Sequence, residues 1–222
     1  MNINIKYKKV KNITLRIKND GTVNLTVPFG VSEDYALGFV KKKEKWIKSK
    51  LEEIKNRENL SVKGEFKLVS GEVVYYLGNK YTVNILESST PRVDITGEFI
   101  NIYVDNVDDY NTKNALLHRW YLDNANNVFS EYINKWEEIL KLNVKSITIR
   151  SMKTRWGSCN HKLHKINLNL ELIKKDIRCI DYVILHEMAH LVHPNHSMDF
   201  WGYVEGYMPE YRGIRDMLKS IN

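Results

Sequence analysis

Residues 184–201 read ILHEMAHLVHPNHSMDFW and gather four of the chain's seven histidines, His186, His190, His193 and His196, into eleven residues beside Glu187. His186-Glu187-Met188-Ala189-His190 has the form HExxH. On a helix a four-residue step leaves two side chains within about 40° of each other and about 6 Å apart along the axis, so both imidazoles can reach one ion. Glu187 projects about 60° from His190, beside the ligand stripe, where its carboxylate can accept a proton from metal-activated water. The surrounding YVILHEMAHLV, residues 182–192, is apolar on nearly every side, the pattern of a helix buried on most faces. Two imidazoles and a carboxylate in such a place cost several kcal/mol unless they are paired or coordinated. A metal site therefore accounts for them better than hydrogen-bonded core histidines do.

Four residues compete for the third ligand position. His193 shares the helical face of His186 and His190, but seven residues at 1.5 Å each separate it from His186 by about 10.5 Å. With zinc to nitrogen distances near 2.1 Å, a straight helix cannot bring all three onto one ion. Pro194 disfavours helical geometry at His193 and stops the helix there. His196 is then the first residue able to return over the metal, and Ser197 is placed to cap the next helix and fix its direction. The favoured set is His186, His190 and His196. Glu205 on the following helix is the main rival as third ligand, and Asp199 a weaker one; either would otherwise orient a ligand imidazole.

Three protein ligands leave a fourth position for water, which marks a catalytic zinc site. In the implied hydrolysis zinc polarises the scissile carbonyl and activates water, while Glu187 takes the proton and passes it to the leaving amine. Tyr203, Tyr207, His164 and Arg155 are candidates for stabilising the oxyanion, and spacing does not rank them.

Outward from this stretch, NITLRIKNDGTVNLTVP alternates polar and apolar residues around Asn19-Asp20-Gly21 and predicts a hairpin of strands 12–18 and 22–27. Ser32 caps a predicted amphipathic helix over 33–57, with Leu37, Val40, Ile47, Leu51 and Ile54 on one face and Lys41, Lys42, Lys45, Lys48 and Lys55 on the other. Trp46 reads as core. Residues 66–104 predict a small antiparallel sheet, and a long helix follows over about 112–140 with Leu116, Trp120, Ala125, Val128, Phe129, Tyr132, Trp136 and Ile139 on its apolar face. SITIRSMKTRWG and HKINLNLELI read as strands, and helices over 176–192 and 198–207 complete the chain. The acidic stretch 105–111 marks a boundary between residues 1–108 and 109–222.

The 222 residues, 43% hydrophobic and 27% charged, suit a soluble globular protein. No run approaches the roughly 18–20 apolar residues of a membrane span, and NINIKYKKV after Met1 has no signal-peptide apolar region. With Cys159 and Cys179 alone, two reduced thiols in the cytoplasm are expected. Residues 1–60 hold 14 Lys and Arg against 7 Asp and Glu, and the remaining residues balance at 20 of each. That excess suits either a solvated lysine-rich face or a weak contact with an anionic partner such as nucleic acid. No nucleic-acid motif accompanies it. Salt-dependent binding would separate the two readings.

RSMKTRWGSCN (150–160), INLNLELI (166–173), IDYVILHEMAHL (180–191) and NHSMDFW (195–201) together resemble the YgjP-like metallopeptidase family, itself similar to the SprT-like and WLM zinc metallopeptidases. Residues 13–47 resemble that family's amino-terminal hairpin and helix. The resemblance implies an α+β fold: a zincin-like, minimal gluzincin-type catalytic half with a small sheet and an HExxH helix, preceded by a β-rich accessory half with one basic helix. It carries over His186, His190 and His196 as zinc ligands, Glu187 as general base, and a strand at Arg155-Trp156-Gly157-Ser158 bordering the cleft. It gives His161 and His164 no role. The function expected is a zinc-dependent peptidase acting on peptides or proteins. The alternatives are a zinc hydrolase of nucleotides or other phosphoanhydrides, and a nucleic-acid-associated protein-processing module.

Overall fold

The computed structural model describes residues 3–18, 20–61 and 67–220. The chain divides into two compact units, Met1–Lys67 and Leu68–Asn222.

In the first unit the alternation in β3 (Val23–Pro28) sends Val23, Leu25 and Val27 to one fully buried face. β3 lies between β1 (Ile3–Lys8), parallel to it, and β2 (Thr14–Ile17), antiparallel to it. At the predicted turn Gly21 has φ 75°, a left-handed conformation natural to glycine, and its N–H donates to Lys18 O at 3.0 Å. Asn19 of that turn lies outside the described residues. β1 is an addition to the expected strands; only Ile3 and Ile5 of it are even half-buried, too weak an alternation to announce it. Ser32 caps α1 (Glu33–Lys42), its hydroxyl accepting from Tyr35 N at 3.3 Å. The single helix expected over 33–57 is two, with α2 (Glu44–Ser61) starting after Lys43 at φ −99°, ψ 7°. Residues 41–45 are all charged, so nothing apolar pins the chain there, and Val40 and Ile47 enter the core from either side. Trp46, read as core, is exposed. Ile54 and Lys55 lie outside the described side chains.

The second unit begins with a four-stranded sheet in the order β4-β5-β7-β6: β4 (Val73–Tyr76), β5 (Asn79–Glu87), β6 (Arg92–Thr96) and β7 (Phe99–Val104). It is mixed, not antiparallel as expected, because β7 runs parallel to β5. Burial explains the order. Ile100, Asn101, Ile102 and Val104 make β7 the most buried strand, fit for the interior, while β6 is half-exposed and takes the edge. Phe66, the expected start of the sheet, lies outside the described residues.

α3 (Tyr110–Leu140) starts at Asp109, whose carboxylate accepts from Asn111 N and Thr112 N. Its buried stripe is Leu117, Tyr121, Ala125, Phe129, Ile133, Trp136 and Leu140, rotated slightly from the expected face so that Ile139 is exposed. This stripe shares one core with Val83, Ile100 and Ile102 of the sheet, and Tyr121 donates to Tyr75 O at 2.8 Å. The boundary expected at 108/109 therefore falls inside a continuous core, and the division into units comes after residue 67.

Three short strands follow in the order β8-β10-β9: β8 (Ser146–Arg150), β9 (Gly157–Asn160) and β10 (Lys165–Asn169). β10 is parallel to β8 and antiparallel to β9. α4 (Ile177–Ala189), α5 (Met198–Tyr207) and α6 (Tyr211–Ser220) complete the unit. α6 is not among the expected helices, although Tyr211, Ile214 and Leu218 recur at helical spacing and are buried. No helix of the described residues is long and apolar enough to cross a membrane.

Candidate metal centre

α4 is capped by Asp176, whose carboxylate accepts from Arg178 N at 2.9 Å and pairs with the Arg178 guanidinium. The helix is buried on almost all sides, with His186 and Glu187 in its final turn and His190 as its C-cap. There the chain tightens: Leu191 N donates to Met188 O and Val192 N to Ala189 O. Pro194 follows, and Ser197 caps α5 by accepting from Phe200 N at 3.4 Å. The return over His190 brings His196 Nε2 to 3.0 Å from His186 Nε2.

One nitrogen from each of His186, His190 and His196 lies within 4.8 Å of the other two. Two nitrogens bound tetrahedrally to one zinc ion stand about 3.4 Å apart, close to the spacing seen between His186 and His196. Phe200 packs against all three rings at centroid distances of 4.6–5.0 Å. Trp201 stacks on His196 at 5.4 Å and on Tyr211 of α6 at 5.4 Å, so the last helix braces the returning histidine. His190 Nδ1 hydrogen-bonds His193 O at 3.1 Å, which makes Nδ1 the protonated nitrogen and leaves Nε2 its lone pair. His186 Nδ1 is buried without a hydrogen-bond partner among the described residues.

Burial, with His190 and His196 nearby, pushes His186 down to about 3, and burial likewise lowers His190. These imidazoles are neutral at neutral pH, the form that donates to a metal, so the donor set fits a divalent ion of the zinc type. Glu187 is 6% exposed, and burial pushes its carboxyl up to about 8 against the opposing pull of Arg155. Its position depends on Gly157: a Cβ there would lie 2.6 Å from Glu187 Cγ and 2.7 Å from Oε1.

A cavity of about 530 Å³ opens onto the histidines and Glu187. Arg155 and residues 156–159 form one wall, and Tyr182, Val183, Arg215 and Leu218 of α4 and α6 another. Burial and the neighbouring Glu187 push the Cys159 thiol up to about 11, so it is a neutral part of that wall. The loop before β9 is held by Asn169: its amide nitrogen donates to Met152 O and Arg155 O, and its oxygen accepts from Met152 N and Glu171 N.

Of the residues singled out in the sequence, His186, Glu187, His190, His196 and Arg155 meet in this cavity, and His161, given no role, lines it as well. Glu205 does not join the histidine group; Arg212 binds its carboxylate through both guanidinium nitrogens. Asp199 is exposed and outside the group as well. His193 contributes its carbonyl and sets its ring against Tyr203. Tyr203 and Tyr207 pack on each other away from the cavity lining, and His164 bonds Asn143 O. Tyr182, Arg215 and the close approach at Gly157 were not anticipated. The spacing of Tyr211, Ile214 and Leu218 was the available signal for α6, and hence for Arg215.

No curated protein matches the chain. Among solved structures, the metallopeptidase zymogen of Pyrococcus abyssi abylysin is 25% identical, with 41% of this chain and 92% of that chain covered and a TM-score of 0.39. The metallopeptidase zymogen of Methanocaldococcus jannaschii jannalysin is 24% identical, with 42% and 97% covered and a TM-score of 0.38. A family model described as YgjP-like, metallopeptidase domain, matches residues 11–221. The match spans nearly the whole chain, and the protein belongs to the YgjP-like metallopeptidase family.

Proposed function

We propose that this metallopeptidase uses zinc held by His186, His190 and His196 to hydrolyse peptide bonds, with Glu187 as general base, in a zincin-like catalytic unit built around α4. The observation that carries the reading is the convergence of three imidazole nitrogens within 4.8 Å beside a buried carboxylate on one open cavity. A bound zinc ion supplies Lewis acidity toward the scissile carbonyl and makes a water more acidic.

The chain's own groups do the remaining work. The His190 Nδ1 to His193 carbonyl bond holds that imidazole in one tautomer and orientation. Phe200 and Trp201 pack against the histidine rings and hold their orientation. Glu187, with a proton affinity raised by burial, takes a proton from water at its carboxylate and returns it to the leaving amine nitrogen. Arg155, on the cavity wall, supplies positive charge near Glu187. A cytoplasmic setting, with Cys159 and Cys179 as free thiols, belongs to the same reading.

The test pairs metal analysis with peptide hydrolysis. Glu187→Ala is expected to keep the metal and lose turnover, and His196→Ala to lose metal affinity. Full metal occupancy in His196→Ala would remove that residue from the ligand set. Turnover of nucleotides but of no peptide, abolished by Glu187→Ala, would replace the peptidase reading with the phosphoanhydride one.

A further inference from the structure

Arg215 stands apart from its neighbours. On the same helix, Arg212 is bound by Glu205, and at the start of α4 Arg178 is bound by Asp176. Arg215 instead lines the cavity of the histidine cluster, its guanidinium carbon 5.3 Å from the Trp201 ring centroid and 6.0 Å from that of Tyr211. Its Nε is buried without a hydrogen-bond partner among the described residues. Arg155 adds a second arginine to the lining of the same cavity, from the loop before β9. Among the described residues, no carboxylate lies in a salt bridge with either arginine, and Glu187 is the single acidic residue of the lining.

Two arginines against one acidic residue in the lining leave the cavity cationic. A half-buried arginine with an unanswered donor is a poor device for stability, because the desolvated N–H lacks the bond that would compensate it. The planar fork of a guanidinium matches a carboxylate in two parallel hydrogen bonds, and the walls of a cavity strengthen that pairing over its value in water. Stacking on Trp201 restricts the Arg215 side chain, which reduces the entropy lost on binding.

We propose that Arg215, with Arg155, forms a subsite for a carboxylate of the peptide substrate, making this a peptidase selective for peptides that bring negative charge next to the scissile bond. The inference rests on the peptidase reading of the same cavity. The carboxylate has two sources, an acidic side chain or the free C-terminus, and the subsite sets specificity without taking part in bond cleavage.

The experiment uses the full chain loaded with zinc and three peptide sets of equal length: neutral and amidated, neutral with a free C-terminus, and amidated with one Glu at successive positions. The quantity read is the ratio of kcat/KM for a carboxylate peptide to that for its neutral amidated counterpart. Wild type is expected to favour one carboxylate set, and Arg215→Gln to lower that ratio about 30-fold or more, the usual consequence of removing one partner of a desolvated charge pair. Arg215→Lys, which keeps the charge and the stem over Trp201, should lower it less. The set that shows the effect identifies the source. A wild-type ratio near one, or a ratio untouched by both Arg215→Gln and Arg155→Gln, overturns the proposal. Equal loss on all peptides does so too, since it assigns Arg215 to the oxyanion. Binding of the same peptides to Glu187→Gln, followed by tryptophan fluorescence, gives a readout without turnover. Zinc-loaded wild type that cleaves no peptide would end the peptidase reading, while this binding arm still decides the carboxylate subsite.

Discussion

Glu187 and Gly157 meet more closely than any side chain at position 157 would permit, so the glycine of the RWGSC stretch is tied to the candidate general base. Gly157→Ala is expected to leave metal content intact and lower kcat by about 100-fold, the scale set by a displacement of roughly 1 Å in a reacting group. Unchanged kcat would show that Glu187 works equally well when pushed aside. Burial of Glu187 also has a pH signature. Its folded pKa, about 8, lies above the ordinary 4.5, so the neutral form carries its full stability below about 4.5 and loses it as pH rises toward 8. Chelator-treated protein should therefore lose on the order of a few kcal/mol across that window relative to Glu187→Gln. Melting curves of the two proteins that run parallel from pH 4.5 to 8 would contradict the shift. His186, pushed down to about 3, acts with the opposite sign, its stability present above 6.5 and lost as pH falls, and it cancels in the comparison because both proteins contain it.

At the scale of elements, the cavity depends on a loop with no regular structure of its own, residues 151–156, held by the buried side chain of Asn169 at the end of β10. Asn169 uses both amide hydrogens and its oxygen there, at 2.8, 3.1 and 3.1 Å within the loop and 3.2 Å to Glu171 N. Asn169→Ala strands these backbone groups, and a cost of about 2–3 kcal/mol predicts a melting temperature lower by roughly 4–10 °C. Faster proteolysis within 151–156 should accompany it. A variant that melts with wild type and resists protease would show that the loop is held by other contacts.

For the whole molecule, the shared core of β4–β7 with α3–α6 predicts which fragment stands alone. Residues 68–222 should fold cooperatively and bind zinc, whereas residues 109–222 should do neither, because Leu117, Tyr121 and Phe129 would lose the sheet they cover. Cooperative melting of the shorter fragment would restore the boundary at 108/109. The first unit keeps its own core of Val23, Leu25, Val27, Ala36, Val40 and Ile47, with Lys41, Lys42, Lys45 and Lys48 exposed on its helices.

What the sequence by itself determined is what local geometry controls. The four-residue step puts His186 and His190 at one end of α4, Ser197 restarts the chain as α5, and Gly21 turns the first hairpin; each depends on a few neighbouring residues and standard backbone dimensions, whereas α4 itself ends at Ala189, short of the stop expected at Pro194. The spacing of His186 and His190 was legible for that reason. Tertiary structure alone decided the parallel pairing of β5 with β7, the joining of the sheet to the catalytic core, the seat of Glu187 against Gly157, and the arrival of Arg215 in the lining of the histidine cavity. Those outcomes depend on which apolar faces cover one another across long sequence separations. That competition is settled by burial over the whole core, and no local spacing records it.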